Sequence, residues 1–264
     1  MFIKEHIQQL SLPESLNEKY NIENIMFYDI ETTGFDKVKS NIILISGGWF
    51  INKNSFIVKQ FFAENLKEES EILLEFKEEL NRFDTWCSYN GKAFDEPFIN
   101  SKMDLNSIKF SKPETHIDLY RMIRPYYKQL GMERCNLKTV EKYLGIERKD
   151  KIDGGLSVEL YYEFLNTESE ELKKLIMLHN YEDVLNLPKI FKLIHEIENN
   201  DLKRENSITE KQLSYLKFLL RKNKIEINRD IEKISRKAAS RIIDNILKGN
   251  MNLDDFNSII NNSY

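Results

Sequence analysis

The chain has 264 residues, 41% hydrophobic and 31% charged, with a formal net charge of −4. That length and balance fit one α/β domain of roughly 200 residues with something small attached, and exclude a fibrous or disordered chain. The longest apolar runs, such as Ile42 to Ile45, are too short for a bilayer, no secretory leader follows Met1, and two cysteines (Cys87, Cys135) make no disulfide framework; a reducing, cytoplasmic setting with no membrane partner is expected.

In chain order, the first predicted element is a buried strand over 24–30, followed by strands over 41–50 and 55–62, with Gly47-Gly48 and Asn52-Lys53-Asn54 as punctuation. Ile72, Leu73, Phe76, Leu80 and Phe83 recur at helical spacing, which predicts a helix over 66–83 facing a sheet. A strand over 84–89, a helix starting near Phe94 to Pro97, a short strand over 115–118 and helices over 137–144, 157–165 and 170–197 come next. Early strands followed by alternating helix and strand predict an α/β fold with a mixed central sheet flanked by helices.

The remainder reads as a separate, small C-terminal helical module. Thr209 and Gln212 form a capping-box pattern ahead of Leu213, Leu216, Leu219 and Leu220, and Ser235 caps a second apolar stripe that stops at Gly249. From Lys203 to Lys248, 13 Lys and Arg stand against 6 Asp and Glu; of the chain's 39 and 43, that leaves 26 against 37, an acidic body with a basic appendage. The expected domains are 1–200, with the motifs in 20–197; a basic helical hairpin at 203–250; and a flexible tail at 251–264. Lys211, Lys217, Arg221, Lys222, Arg236, Lys237 and Arg241 are candidates for phosphate contact, and the hairpin is also a candidate surface for self-association.

Chemistry concentrates in dispersed acids. In Asp29-Ile30-Glu31 the two carboxylates project from one face of a strand, where they can share a hard cation. Asp95 and Asp183 complete a quartet suited to two hard divalent ions such as Mg2+ cleaving a phosphodiester, since scattered oxygen ligands favour such ions over calcium or zinc. His179 stands four before Asp183 in a strongly helical stretch, on the same face and one turn away, where it can take a proton from attacking water. Tyr181 points off that face, Glu182 is not expected to ligate, and Asp118 is expected either to support the site or to cap a helix.

The segments Asp29-Ile30-Glu31-Thr32-Thr33-Gly34, Asn90 to Asp95 and His179 to Asp183 resemble the three exonuclease motifs of the DEDD superfamily, which has a ribonuclease H-like fold. More narrowly, Leu137 to Glu141 through Ile146, then Ser157 to Tyr161, then His179-Asn180 with Asp183-Val184-Leu185, resemble the YprB-type ribonuclease H-like proteins. The resemblance implies a metal-dependent 3′-5′ exonuclease in which Asp29, Glu31, Asp95 and Asp183 bind two metal ions. It also implies that Thr32 and the backbone at Gly34 meet the terminal nucleotide, with Asn90 beside the strand. One departure stands out: superfamily members with a catalytic histidine usually place it five residues before the last aspartate, and the four-residue spacing here is that of members using tyrosine. The expected partner is DNA or RNA with a 3′ end. The alternatives are a non-catalytic nucleic-acid-binding subunit and a structure-selective endonuclease on the same fold.

Overall fold

The computed structural model describes residues 1–109, 112–152, 154–200, 202–227, 230–261 and 263. Six strands form one sheet: β1 (Phe2–Gln9), β2 (Ile25–Thr32), β3 (Ile42–Asn52), β4 (Ser55–Phe62), β5 (Thr85–Ser88) and β6 (Thr115–Asp118), in the order β1-β4-β3-β2-β5-β6. The β3–β4 hairpin turns at Asn52 and Ser55, β1 and β2 pair antiparallel on its two outer sides, and β5 and β6 continue parallel to β2. The sheet is therefore mixed, as expected. Strand β1 is an addition to the expected set; its alternation is weak, and it pairs with β4 from Phe2 opposite Phe62 to Gln9 opposite Ser55.

The helices are α1 (Glu14–Tyr20), α2 (Glu69–Leu80), α3 (Asp95–Leu105), α4 (Leu119–Ile123), α5 (Leu137–Tyr143), α6 (Gly154–Thr167), α7 (Glu170–Asn199), α8 (Glu210–Lys222), α9 (Arg236–Leu247) and α10 (Leu253–Asn261). The pair Gly47-Gly48 lies inside β3 and does not punctuate it. A methyl group at Gly47 would come within 3.2 Å of Met26 and Phe76, and one at Gly48 within 2.7 Å of Phe56 and Val184. The two glycines thus let α2 approach one face of the sheet and α7 the other, because successive residues of a strand point to opposite faces. Close approach of α7 is what brings its polar side chains down onto β2 and β3.

The chain divides into two compact units. The first comprises Met1–Tyr120 and Cys135–Glu196, and the second Arg121–Arg134 and Ile197–Tyr264. In the second, the Glu205 amide donates to the Pro125 carbonyl at 2.9 Å and the Lys203 amide to Gln129 Oε1 at 3.1 Å, so 121–134 folds with the C-terminal residues and not with the sheet. Thr209 and Gln212 form the anticipated capping box, and Ser235 caps α9. The expectations of a two-helix hairpin and a flexible tail need correction. Helix α10 follows the expected pair, and its Phe256 is fully buried in the cluster that holds Leu216, Ala239 and Ile242, with Ile259 and Ile260 partly buried against it.

Candidate active site

The site is built where β2 outruns its parallel neighbour. Pairing with β5 ends at Phe27, and beyond it the Ile30 amide donates to Asp95 Oδ1 at 3.2 Å, which sets this carboxylate between Asp29 and Glu31 along the strand. Asp95 opens α3, and the loop before it is tightly specified. Asn90 is left-handed (φ 66°), and any side chain at Gly91 would collide with Ser88 Oγ at 2.1 Å. Asp118, at the end of β6, accepts from the Asn90 amide at 2.9 Å and the Lys92 amide at 3.3 Å, so it supports the Asp95 loop. His116 bridges Ser88 (2.8 Å) and Glu96 (2.7 Å). On the other side of β2 the Thr32 hydroxyl donates to the Gly34 carbonyl at 2.8 Å, closing the turn after the acids.

Helix α7 supplies the opposing wall. Asn180 donates to Asp29 Oδ2 at 2.7 Å, its own oxygen accepts from the Ser46 hydroxyl, and Gln60 links Ser46 (3.0 Å) to the Met177 carbonyl (2.9 Å). This polar chain fixes the helix register over the sheet. His179 Nε2 then lies 3.7 Å from Glu31 Oε1 and 3.7 Å from Asp183 Oδ2. Donor atoms of Glu31, His179 and Asp183 all fall within 4.8 Å of one another, the tightest such group among the described residues. Asp29 and Asp95 border this trio, tied to Asn180 and to the Ile30 amide.

Three further acids and an arginine complete the site: Glu182, set aside in the sequence as a ligand, Glu141, which ends a family-like segment, and Asp150 and Arg148, which the sequence did not single out. Arg148, in the loop after α5, donates to Asp183 Oδ1, to both oxygens of Glu141 (3.1 and 3.2 Å), to Asp150 (3.2 Å) and to the His179 carbonyl (3.0 Å). Glu182 accepts from the Lys149 and Asp150 amides, which makes it the anchor of this loop. Asp150 Oδ2 meets His179 Nδ1 at 2.6 Å. The sequence signal was faint: in Gly145 to Asp150 four successive charged residues sit in a polar loop, and nothing in their order says which turn inward.

The electrostatics are those of crowded buried acids. Burial, then repulsion from Asp95, Asp183 and Glu31, pushes Asp29 well above the usual carboxyl range; burial and Asp183 do the same to Glu31. Burial, with Asp118 and Asp183, raises Asp95 to about 7 against the hydrogen bond from Ile30. Burial raises Asp150 too, but the hydrogen bonds from His179 and the Ile152 amide outweigh it and hold Asp150 below the normal value. Carboxylates that resist ionisation together, beside the converging donor atoms of Glu31, His179 and Asp183, are a donor set that a hard divalent cation would satisfy. The residues present fit a divalent cation.

A family model of the RNase_H superfamily matches residues 26–195, the stretch that carries β2 through most of α7. The chain belongs to the RNase_H superfamily. Within it, the chain is 34% identical over 187 residues to the Bacillus subtilis (strain 168) protein YprB, covering 69% of this chain and 45% of that one, so it spans less than half of its relative. Among solved structures, the family B DNA polymerase of Pyrobaculum calidifontis superposes with a TM-score of 0.51 at 15% identity, over 65% of this chain and 24% of the polymerase. Brucella melitensis NrnC bound to pGG gives 0.41 at 11% identity, over 88% and 85% of the two chains. The architecture is a ribonuclease H-like mixed sheet flanked by helices. No helix among the described residues is long and apolar enough to cross a membrane.

Proposed function

We propose that the chain is a nuclease of the DEDD type that removes nucleotides from the 3′ end of DNA or RNA. The reading is carried by one observation: Glu31, His179 and Asp183 converge within 4.8 Å on a surface bordered by Asp29 and Asp95, whose carboxyls crowding and burial hold above their normal range. Bound by Asp29, Glu31, Asp95 and Asp183, two Mg2+ or Mn2+ ions would supply the Lewis acidity for hydrolysis and take up charge on the leaving oxygen.

The chain's own residues account for the rest. A carboxylate can only accept, so the Asp150 contact assigns the ring proton to His179 Nδ1 and leaves Nε2 as the acceptor facing Glu31 and Asp183. His179 Nε2 takes the proton of the attacking water. Arg148 grips Asp183 through Oδ1, so that Oδ2 is the oxygen turned to the site. The turn at Thr32 and Gly34 and the left-handed Asn90 lie at the ends of the acid-bearing segments, where they meet the terminal nucleotide and the strand. Because Asp150 fixes the ring, the four-residue spacing of His179 and Asp183 is compatible with the base role.

The test is a substrate panel with Mn2+ or Mg2+. Linear single strands and duplexes labelled at the 5′ end should give a ladder shortened from the 3′ end. Cutting of a closed circle would favour endonuclease action, and tight binding without products would favour a non-catalytic subunit.

A further inference from the structure

Helix α7 has a second working flank. At 3.6 residues per turn, Met177 and Tyr181 lie roughly half a turn round the axis from His179 and Asp183. Tyr181 therefore faces away from the acids, toward β1 at the edge of the sheet. Phe2, Lys4, His6 and Gln8 alternate along β1 and so share a face. Together with Lys149, Lys174, Met177 and Tyr181 they line a cleft of about 390 Å3, within the usual range for small-ligand sites.

The lining combines two chemistries. Phe2, Met177 and Tyr181 give an apolar floor, with the His6 ring 4.6 Å from that of Tyr181. The Tyr181 hydroxyl is buried, with Gln8 as its polar neighbour. Lys4, Lys149 and Lys174 are exposed and make no ion pair among the described residues, whereas Lys173 pairs with Glu64 at 2.7 Å and with Glu170, an acid of the same lining, at 3.4 Å. Outside Lys203 to Lys248 the chain has 26 basic residues against 37 acidic ones, so this cationic cluster runs against its surroundings. Three unpaired ammonium groups around an aromatic floor are complementary to an anion that carries a flat ring.

We propose that this cleft binds a nucleotide unit, with its base on the Tyr181 side and its phosphate among Lys4, Lys149 and Lys174. The choice of a nucleotide over other aromatic anions rests on the nuclease reading above. Two sources share the chemistry: a free mononucleotide, and a nucleotide of a strand engaged at the carboxylate site. The Lys149 and Asp150 amides are both held by Glu182, so an occupant of the cleft would lie beside the loop that orients His179.

The experiment is calorimetric titration of the full chain, in EDTA to prevent turnover, with AMP, with a short single-stranded oligonucleotide and with inorganic phosphate. Wild type is compared with Lys4→Ala/Lys174→Ala; both side chains are exposed, so a thermal melt should confirm an unchanged fold. The double variant should bind about tenfold more weakly, the scale expected for two lost phosphate contacts. Weakening for AMP and oligonucleotide alike identifies a free-nucleotide site, and weakening for the oligonucleotide alone identifies a strand path; both support the proposal. Equal affinities in wild type and variant, no binding of either probe by wild type, or phosphate binding as tightly as AMP would each overturn it. Asp29→Asn should keep the cleft affinity while losing hydrolysis, so a failure of the nuclease reading shows up separately.

Discussion

Asp150 Oδ2 lies 2.6 Å from His179 Nδ1, and this contact leaves Nε2 facing Glu31 and Asp183. In the proposed reaction Asp150 acts through the ring it orients. Asp150→Asn can still reach the ring but can offer it an amide donor, which admits the wrong tautomer. We expect kcat to fall about tenfold to a hundredfold, with little change in substrate affinity. Steady-state kinetics of wild type and variant check this, and an unchanged kcat removes Asp150 from the mechanism.

The crowded carboxyls predict an unusual pH dependence of stability without metal. Burial and the neighbouring acids push Asp95 up to about 7 in the folded state, against about 3.9 when unfolded, so the folded state binds its proton more tightly. Its contribution is fully present below the unfolded value and is lost as pH rises through the folded one. In EDTA, Asp95→Asn should therefore raise Tm relative to wild type at pH 8 and change it little at pH 4, as read by calorimetry.

Metal should offset that repulsion. Saturating Mn2+ or Mg2+ should raise the wild-type Tm at pH 8, by the equivalent of about 2.7 kcal/mol at a hundredfold excess over Kd. In Asp29→Asn the rise should be much smaller, and equal rises in the two proteins would place the ion elsewhere.

Arg148 pairs with Glu141, Asp150, Glu182 and Asp183, and Lys138 reaches Asp150 as well, at 3.4 Å. Arg148→Met takes the shared counter-charge from Glu141, Glu182 and Asp183, which should cost about 3–5 kcal/mol in urea denaturation. Asp183→Asn removes one member while Arg148 keeps the others, and should cost clearly less.

The basic C-terminal unit predicts a salt effect. Its exposed Lys211, Lys222 and Arg241 are best tested by substitution, because deletion would also uncover the 121–134 segment packed with them. Changing all three to Gln should reduce the slope of log K against log salt by about 2 to 3 for single-stranded nucleic acid. An unchanged slope assigns the basic face to another role.

The central strands and the acids were legible because their signals are local. An apolar run ending in Asp29-Ile30-Glu31, and the i,i+4 pair His179 and Asp183 in a periodic helix, carry their geometry in their spacing. What escaped depends on distant partners. Strand β1 is exposed over most of its length and gains its identity only from pairing with β4. Arg148 and Asp150 turn inward because Glu182, more than thirty residues on, binds the loop amides. Gly47-Gly48 read as a turn because glycine marks both turns and close approaches, and only packing of α2 and α7 distinguishes them.

The most direct test is hydrolysis of a 5′-labelled single strand in Mn2+ by wild type beside Asp29→Ala. The account predicts progressive shortening from the 3′ end by wild type, and at least a thousandfold loss in a variant whose melting temperature shows it folded, the scale expected when electrostatic stabilisation of the reacting centre is removed. Full activity in Asp29→Ala would contradict it.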